Sequence, residues 1–220
     1  MTEAVTKHIK KLHLLEKKGN LEVEDLLKIL KTPNKEYITP LREMVAQYDW
    51  QPLNDELIVP FASWVDAICI YLQEGTKGLS KALYKTKNFF HIIFGVLEGL
   101  PTEESLPAFL EIAQNFSAKI TDEQEDFVKE YTYELCDISH QLKGEKVNKD
   151  LHEAFVPILK QIISFAQSKK DEVLMCSATV CFQAFGDKND IPYLKALPFT
   201  EDYYKSTGKT IAKRIEKKYA

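Results

Sequence analysis

Apolar residues in this chain return at every third or fourth position from end to end, and that period restricts the fold more than any other feature. Such spacing puts them on one face of a helix. A half-buried strand needs alternation at every second residue, and no run of that kind has convincing length. Ile9, Leu12 and Leu15 make the first stripe, which Gly19-Asn20 ends. Leu26, Leu27 and Leu30 make a second, closed by Thr32-Pro33. A third runs from Asn34 to about Tyr48 through Ile38, Leu41 and Val45, ahead of a break at 49–52. Asn54 is placed to cap a helix that passes Trp64, Ile68 and Leu72 before Gly75. The stretch 78–99 is apolar on nearly all sides and is expected at the centre of the fold. Thr102 opens a further helix, and Thr121 with Gln124 has capping-box spacing for a long one reaching Leu142. After a charged loop at 143–147, helices are expected at 149–168, 171–185, 190–197 and 200–219. Asn-Gly and Asp-Gly, the strongest hairpin dipeptides, do not occur.

Helices joined by short loops leave a bundle or a solenoid, and internal recurrence favours the second. An aliphatic residue followed by proline recurs as Val59-Pro60, Leu106-Pro107, Val156-Pro157 and Ile191-Pro192, at separations of 47, 50 and 35 residues. Proline suits the first turn of a helix, where its missing N–H has no partner to lose. The segment 171–197 is more specific. Leu174 stands at an aliphatic position near a helix start, Ser177, Ala178 and Cys181 are small, and Phe182 and Phe185 are large and apolar. Gly186-Asp187 then stops the helix, and Ile191-Pro192 with Leu194 begins another. Gly186 is expected to supply backbone freedom, and Asp187 or Asp190 to accept the free N–H groups of the next helix.

This segment resembles a HEAT repeat: its second helix, its turn, and the first helix of the next unit. Met175 departs from the pattern, where such repeats often carry arginine. The resemblance implies an all-α fold, a short right-handed superhelix (α-solenoid) of about five to six antiparallel helix pairs in one domain, 1–220. Such a solenoid presents a long surface on which another protein can lie.

No apolar segment at the start suits a signal peptide, and no run reaches the ~18 residues of a membrane span. A cytoplasmic location is therefore expected, with no membrane partner. Cys69, Cys136, Cys176 and Cys181 include no Cys-x-x-Cys pair and read as small buried hydrophobes. No phosphate-binding loop and no Gly-x-Ser-x-Gly elbow occurs. Cys136 and His140 lie four apart on a helix, and His152 could join them on a metal, but a core cysteine beside a surface histidine explains the spacing as well. Catalytic, cofactor and metal sites are accordingly not expected.

Charge supplies the functional expectation. The net charge is only −4, yet 101–137 holds ten acidic residues against Lys119 and Lys129, while 205–220 holds six basic residues against Glu216. An acidic surface favours capture of a basic protein. The contact residues expected are Glu103, Glu104, Glu123, Glu125, Asp126, Glu130 and Glu134, with Trp50, beside Pro52 in a break, as an exposed aromatic anchor. A non-catalytic protein-binding scaffold, monomeric alone, is the leading reading. Its narrower form is an immunity-type inhibitor of a basic nuclease toxin. Two alternatives stay open: a regulatory subunit or assembly factor of a larger complex, and a DNA-binding or DNA-glycosylase variant of the solenoid. The last needs a basic groove, and its only candidate motif is Trp64-Val65-Asp66.

Overall fold

The 3.6-residue period is realised as helix wherever the chain is described. In a computed structural model, residues 1–48, 61–83, 89–114, 120–142 and 148–220 form twelve α-helices, joined by short 3-10 turns and loops, and no strand. Trp50, the cap expected at Asn54, Pro60 and the loop at 143–147 lie outside these residues. Among the described residues no helix is long and apolar enough to cross a membrane. Two compact units divide after Ala108.

The first unit contains α1 (Glu3–Lys17), α2 (Val23–Leu27), α3 (Ile38–Gln47), α4 (Phe61–Glu74), α5 (Thr76–Ala82), α6 (Phe90–Glu98) and the start of α7 (Thr102–Gln114). Gly19 and Gly75 sit at φ +66° and +69°, a region that costs other L-residues energy, and so end α1 and fold α5 back from α4. The hub of this unit is α4, which packs against α2, α3, α5 and α6 and buries Val65, Ile68, Cys69, Tyr71 and Leu72. Residues 78–99, expected at the centre, contribute α5 and α6 around that hub. The Trp64 ring lies against Gly95 of α6, where an added Cβ would come within 2.6 Å of it.

The second unit contains α8 (Glu125–Gln141), α9 (Lys149–Lys169), α10 (Glu172–Phe185), α11 (Ile191–Lys195) and α12 (Thr207–Lys218). Helix α10 packs against α8, α9 and α12 and buries nine residues, which is why its sequence is apolar and small on almost every side. Ala178 and Cys181, two of the small residues expected to permit close packing, are fully buried, as are Phe182 and Phe185. Lys170, in the left-handed region at φ 57°, turns α9 directly into α10, and Asp171 caps α10 by accepting the Leu174 N–H at 2.9 Å.

Three expectations need correction. Pro107 is the sixth residue of α7 and Pro157 lies deep inside α9, so neither starts a helix; among the described residues Ile191-Pro192 does, and Val59-Pro60 lies outside them. Each internal proline forgoes one backbone bond, and in α9 the buried Phe155, Val156 and Leu159 around Pro157 hold the helix continuous. Gly186 has an extended backbone (φ −81°, ψ 155°) that any residue adopts; what it supplies is space, since a Cβ would meet the Phe182 carbonyl oxygen at 2.8 Å and Ile215 at 3.0 Å. The last helix starts at Thr207 rather than 200: residues 201–206 form turns, ahead of which the Glu172 carboxylate accepts the backbone N–H groups of Thr200 (2.7 Å) and Glu201 (3.0 Å).

Candidate functional site

Helix α8 carries the acidic surface and begins with the capping box read from the sequence, Gln124 Oε1 accepting the Thr121 N–H at 3.2 Å. Its apolar stripe, Val128, Tyr131, Leu135 and Ile138, is buried. The helical period therefore leaves Asp126, Glu130 and Asp137 on one outward stripe, with Glu123 just ahead of it, while Glu134 on the same side turns one carboxylate oxygen, Oε2, into the interior. Glu123, Asp126 and Asp137 are exposed, and Glu130 and Glu134 are half-buried. Asp137 was not among the expected contact residues, although its spacing from Glu134 already marked it.

Glu125 has a different role. Its carboxylate meets Lys129 at 2.8 Å and Lys169 at 3.3 Å; Lys169 also meets Asp122 at 2.9 Å, and Lys129 meets the α10 cap Asp171 at 3.0 Å. This ladder ties the start of α8 to the end of α9 and the start of α10. Lys129 and then Lys169 hold the Glu125 carboxyl below its ordinary value. Burial would raise the Asp171 carboxyl, but the Leu174 N–H and Lys129 outweigh it and keep it low. Both groups thus add stability above the ordinary carboxylate range and lose it as pH falls through their depressed values. Asp171→Asn is expected to cost about 1 kcal/mol at pH 7 and nothing near pH 2. Urea unfolding at both pH values tests this; an equal loss at each would remove the ion pair as the cause.

Glu103 and Glu104 belong to the first unit. Glu103 is exposed, whereas Glu104 accepts the Tyr71 O–H at 2.7 Å, so it anchors α7 to α4. Burial first, and then Glu104, push the Tyr71 hydroxyl up to about 12. In the same unit Val65 is buried and Asp66 exposed on α4.

The cysteines are all free. Cys69 and Cys181 are buried as expected, while Cys136 and Cys176 are partly exposed. Burial pushes the Cys69 thiol up to about 11 and raises Cys181 and Cys176 as well. Cys136 is lowered by a hydrogen bond from Cys181, a thiol partner rather than the base a nucleophile needs. His140 turns instead to the buried Gln183, whose Nε2 lies 3.1 Å from its Nδ1; Arg214 donates to the other end of that amide at 2.8 Å. This chain of contacts joins α8, α10 and α12. It also engages part of the basic C-terminal helix, as does Lys218, which donates to the Gln183 and Ala184 carbonyl oxygens.

His152, named above with Cys136 and His140, is held elsewhere. Its Nε2 lies 2.9 Å from Asp190 Oδ2 and 3.5 Å from Asp187 Oδ1, and Lys160 donates to Asp190 Oδ1 at 2.8 Å. Asp190 is 2% exposed. Burial alone would raise its carboxyl, but Lys160, the Asp187 N–H and His152 together hold it below its ordinary value. Asp187 and Asp190 form the capping box of the 3-10 turn before α11, whereas the Asp190 side chain at the N-cap of α11 accepts no N–H of that helix. The 38-residue separation of His152 from Asp190 left no sequence signal for the cluster. His152 and Asp187 open onto a cavity of about 320 Å³ lined also by Lys149, Lys188, Asn189 and Tyr219.

No protein-family model, curated protein or solved structure matches this chain. A functional reading therefore rests on its own surface and chemistry.

Proposed function

We propose that this chain is a non-catalytic helical scaffold, stacked in the manner of HEAT repeats, that binds a basic protein through the outward carboxylates of α8. The observation that carries this reading is the stripe Asp126, Glu130 and Asp137, extended by Glu123. Glu123, Asp126 and Asp137 make no ion pair with any described residue, so their charge faces solvent. Carboxylates regularly placed on a rigid helix attract a cationic surface and orient it on approach. The closely packed α10, its Gly186 stop and the proline start of α11 support the stacked arrangement. An immunity-type inhibitor of a basic nuclease toxin is the narrower form of this proposal.

The test combines affinity capture at low salt with charge reversal. The triple variant Glu123→Lys, Asp126→Lys, Asp137→Lys leaves the Glu125 ladder intact, so folding is expected to stay within about 0.5 kcal/mol. Affinity for the basic protein captured by the wild type should fall at least tenfold and lose most of its salt dependence. Unchanged affinity, or capture of no basic protein, would end the proposal.

A further inference from the structure

We infer that His152, Asp187 and Asp190 form a binding site for a divalent transition-metal ion of the Zn²⁺ class. Two elements converge there: α9 supplies the imidazole, and the two carboxylates come from the ends of the turn at 187–190, just before α11. Their ligand atoms all lie within 4.8 Å of one another. Zinc binds histidine nitrogen and carboxylate oxygen at about 2.0–2.2 Å, which sets neighbouring ligands about 3.0 Å apart at a right angle and about 3.4 Å apart at a tetrahedral one. The Nε2 separations of 2.9 and 3.5 Å bracket those values.

The proton count points the same way. A neutral imidazole has at most one N–H at Nε2, yet two carboxylate oxygens are aimed at that atom. The nearer oxygen uses the available hydrogen bond, and the farther, at 3.5 Å, exceeds good hydrogen-bond length. A cation between the three atoms would serve both carboxylates, with Nε2 giving its lone pair.

The surrounding contacts hold the ligands as a metal site requires. Lys160 fixes the second oxygen of Asp190, and the Asp187 N–H reaches Asp190 Oδ2 at 3.1 Å. Asn189 holds Asp187 with its backbone N–H at 2.7 Å and its side-chain amide at 3.2 Å. The adjoining cavity leaves room for water or a donor from another molecule in the remaining coordination positions. One imidazole with two carboxylates suits Zn²⁺ and its neighbours in the first transition row better than Ca²⁺ or Mg²⁺, which prefer all-oxygen sites. The Lys160 ammonium opposes the ion, so affinity should be micromolar rather than nanomolar.

The experiment is isothermal titration of the full chain, stripped with chelator, using Zn²⁺, with Mg²⁺ and Ca²⁺ as comparison ions and circular dichroism to follow folding. One Zn²⁺ per chain is expected, bound at least tenfold more weakly by Asp187→Asn, which keeps an acceptor for the Asn189 N–H, and by His152→Gln. Lys160→Met should tighten binding severalfold, an effect a purely structural cluster would not produce. Absence of saturable Zn²⁺ binding would overturn the assignment. So would wild-type affinity in both ligand variants, or equal affinity for Mg²⁺.

Discussion

Replacing Gly208 by alanine is expected to destabilise the second unit by at least about 3 kcal/mol. Gly208 is the second residue of α12, is buried, and lies so close to α11 that an added Cβ would fall 2.1 Å from the Leu194 carbonyl oxygen and 3.2 Å from its carbon. Carbon and oxygen in ordinary contact stand about 3.3 Å or more apart, so one helix would have to move by about 1 Å against the other. The obstacle is backbone and cannot rotate away. Displacing α12 would also withdraw Ile211, Ala212 and Ile215, all buried, and the Arg214 contact with Gln183. Urea unfolding of Gly208→Ala beside Lys209→Ala, which truncates an exposed neighbour, measures the effect. A loss below about 1 kcal/mol would mean that α11 and α12 do not meet as closely as described.

Phe185→Ala should cost about 3–5 kcal/mol, the usual range for emptying an aromatic site in a close-packed interior. Phe185 is fully buried near the end of α10, and its ring stacks on that of Phe155 of α9, centroids 4.3 Å apart and planes inclined by 22°. The loss combines transfer of the ring to water, the cavity it leaves, and the ring contact itself. Phe185→Leu refills much of the volume and should lose less than half as much. Hydrogen exchange gives a sharper readout than global unfolding: amide protection should fall along α9 and α10 and stay near wild type in α4. Uniform loss over the whole chain would show that the two compact units unfold together.

The helices were legible because their signals are local. The stripe Ile9, Leu12, Leu15 and the stop at Gly19 need only the geometry of one helix and one glycine, and α1 ends there. The Thr121–Gln124 box lies within three residues and is formed as read; the Asp171 cap of α10 is equally local, though it was not read from the sequence. The prolines misled because Pro107 and Pro157 obey burial around them rather than the local preference for a first turn. The tie of Thr200 to Glu172 had no local sign, since its partner lies 28 residues earlier.

The acidic surface was half legible. Its residues could be counted, but their duties could not: Glu104 serves Tyr71, Glu125 serves Lys129 and Lys169, and Asp137 joins the outward stripe. Which carboxylate finds a lysine depends on where separate helices bring their ends, and one helix wheel does not hold that information.

The segment 171–197 separates the two sources of information. By itself the sequence determined a helix with small and aromatic faces, a glycine stop and a proline-started successor, because helical periodicity and turn preferences are properties of neighbouring residues. Only tertiary structure decided that α10 lies against α8, α9 and α12, that Gly186 is needed for the space beside Ile215 rather than for its backbone angles, and that Asp187 and Asp190 converge on His152. Those outcomes arise from contacts between residues far apart in the chain, whose energies exist only once the helices have packed.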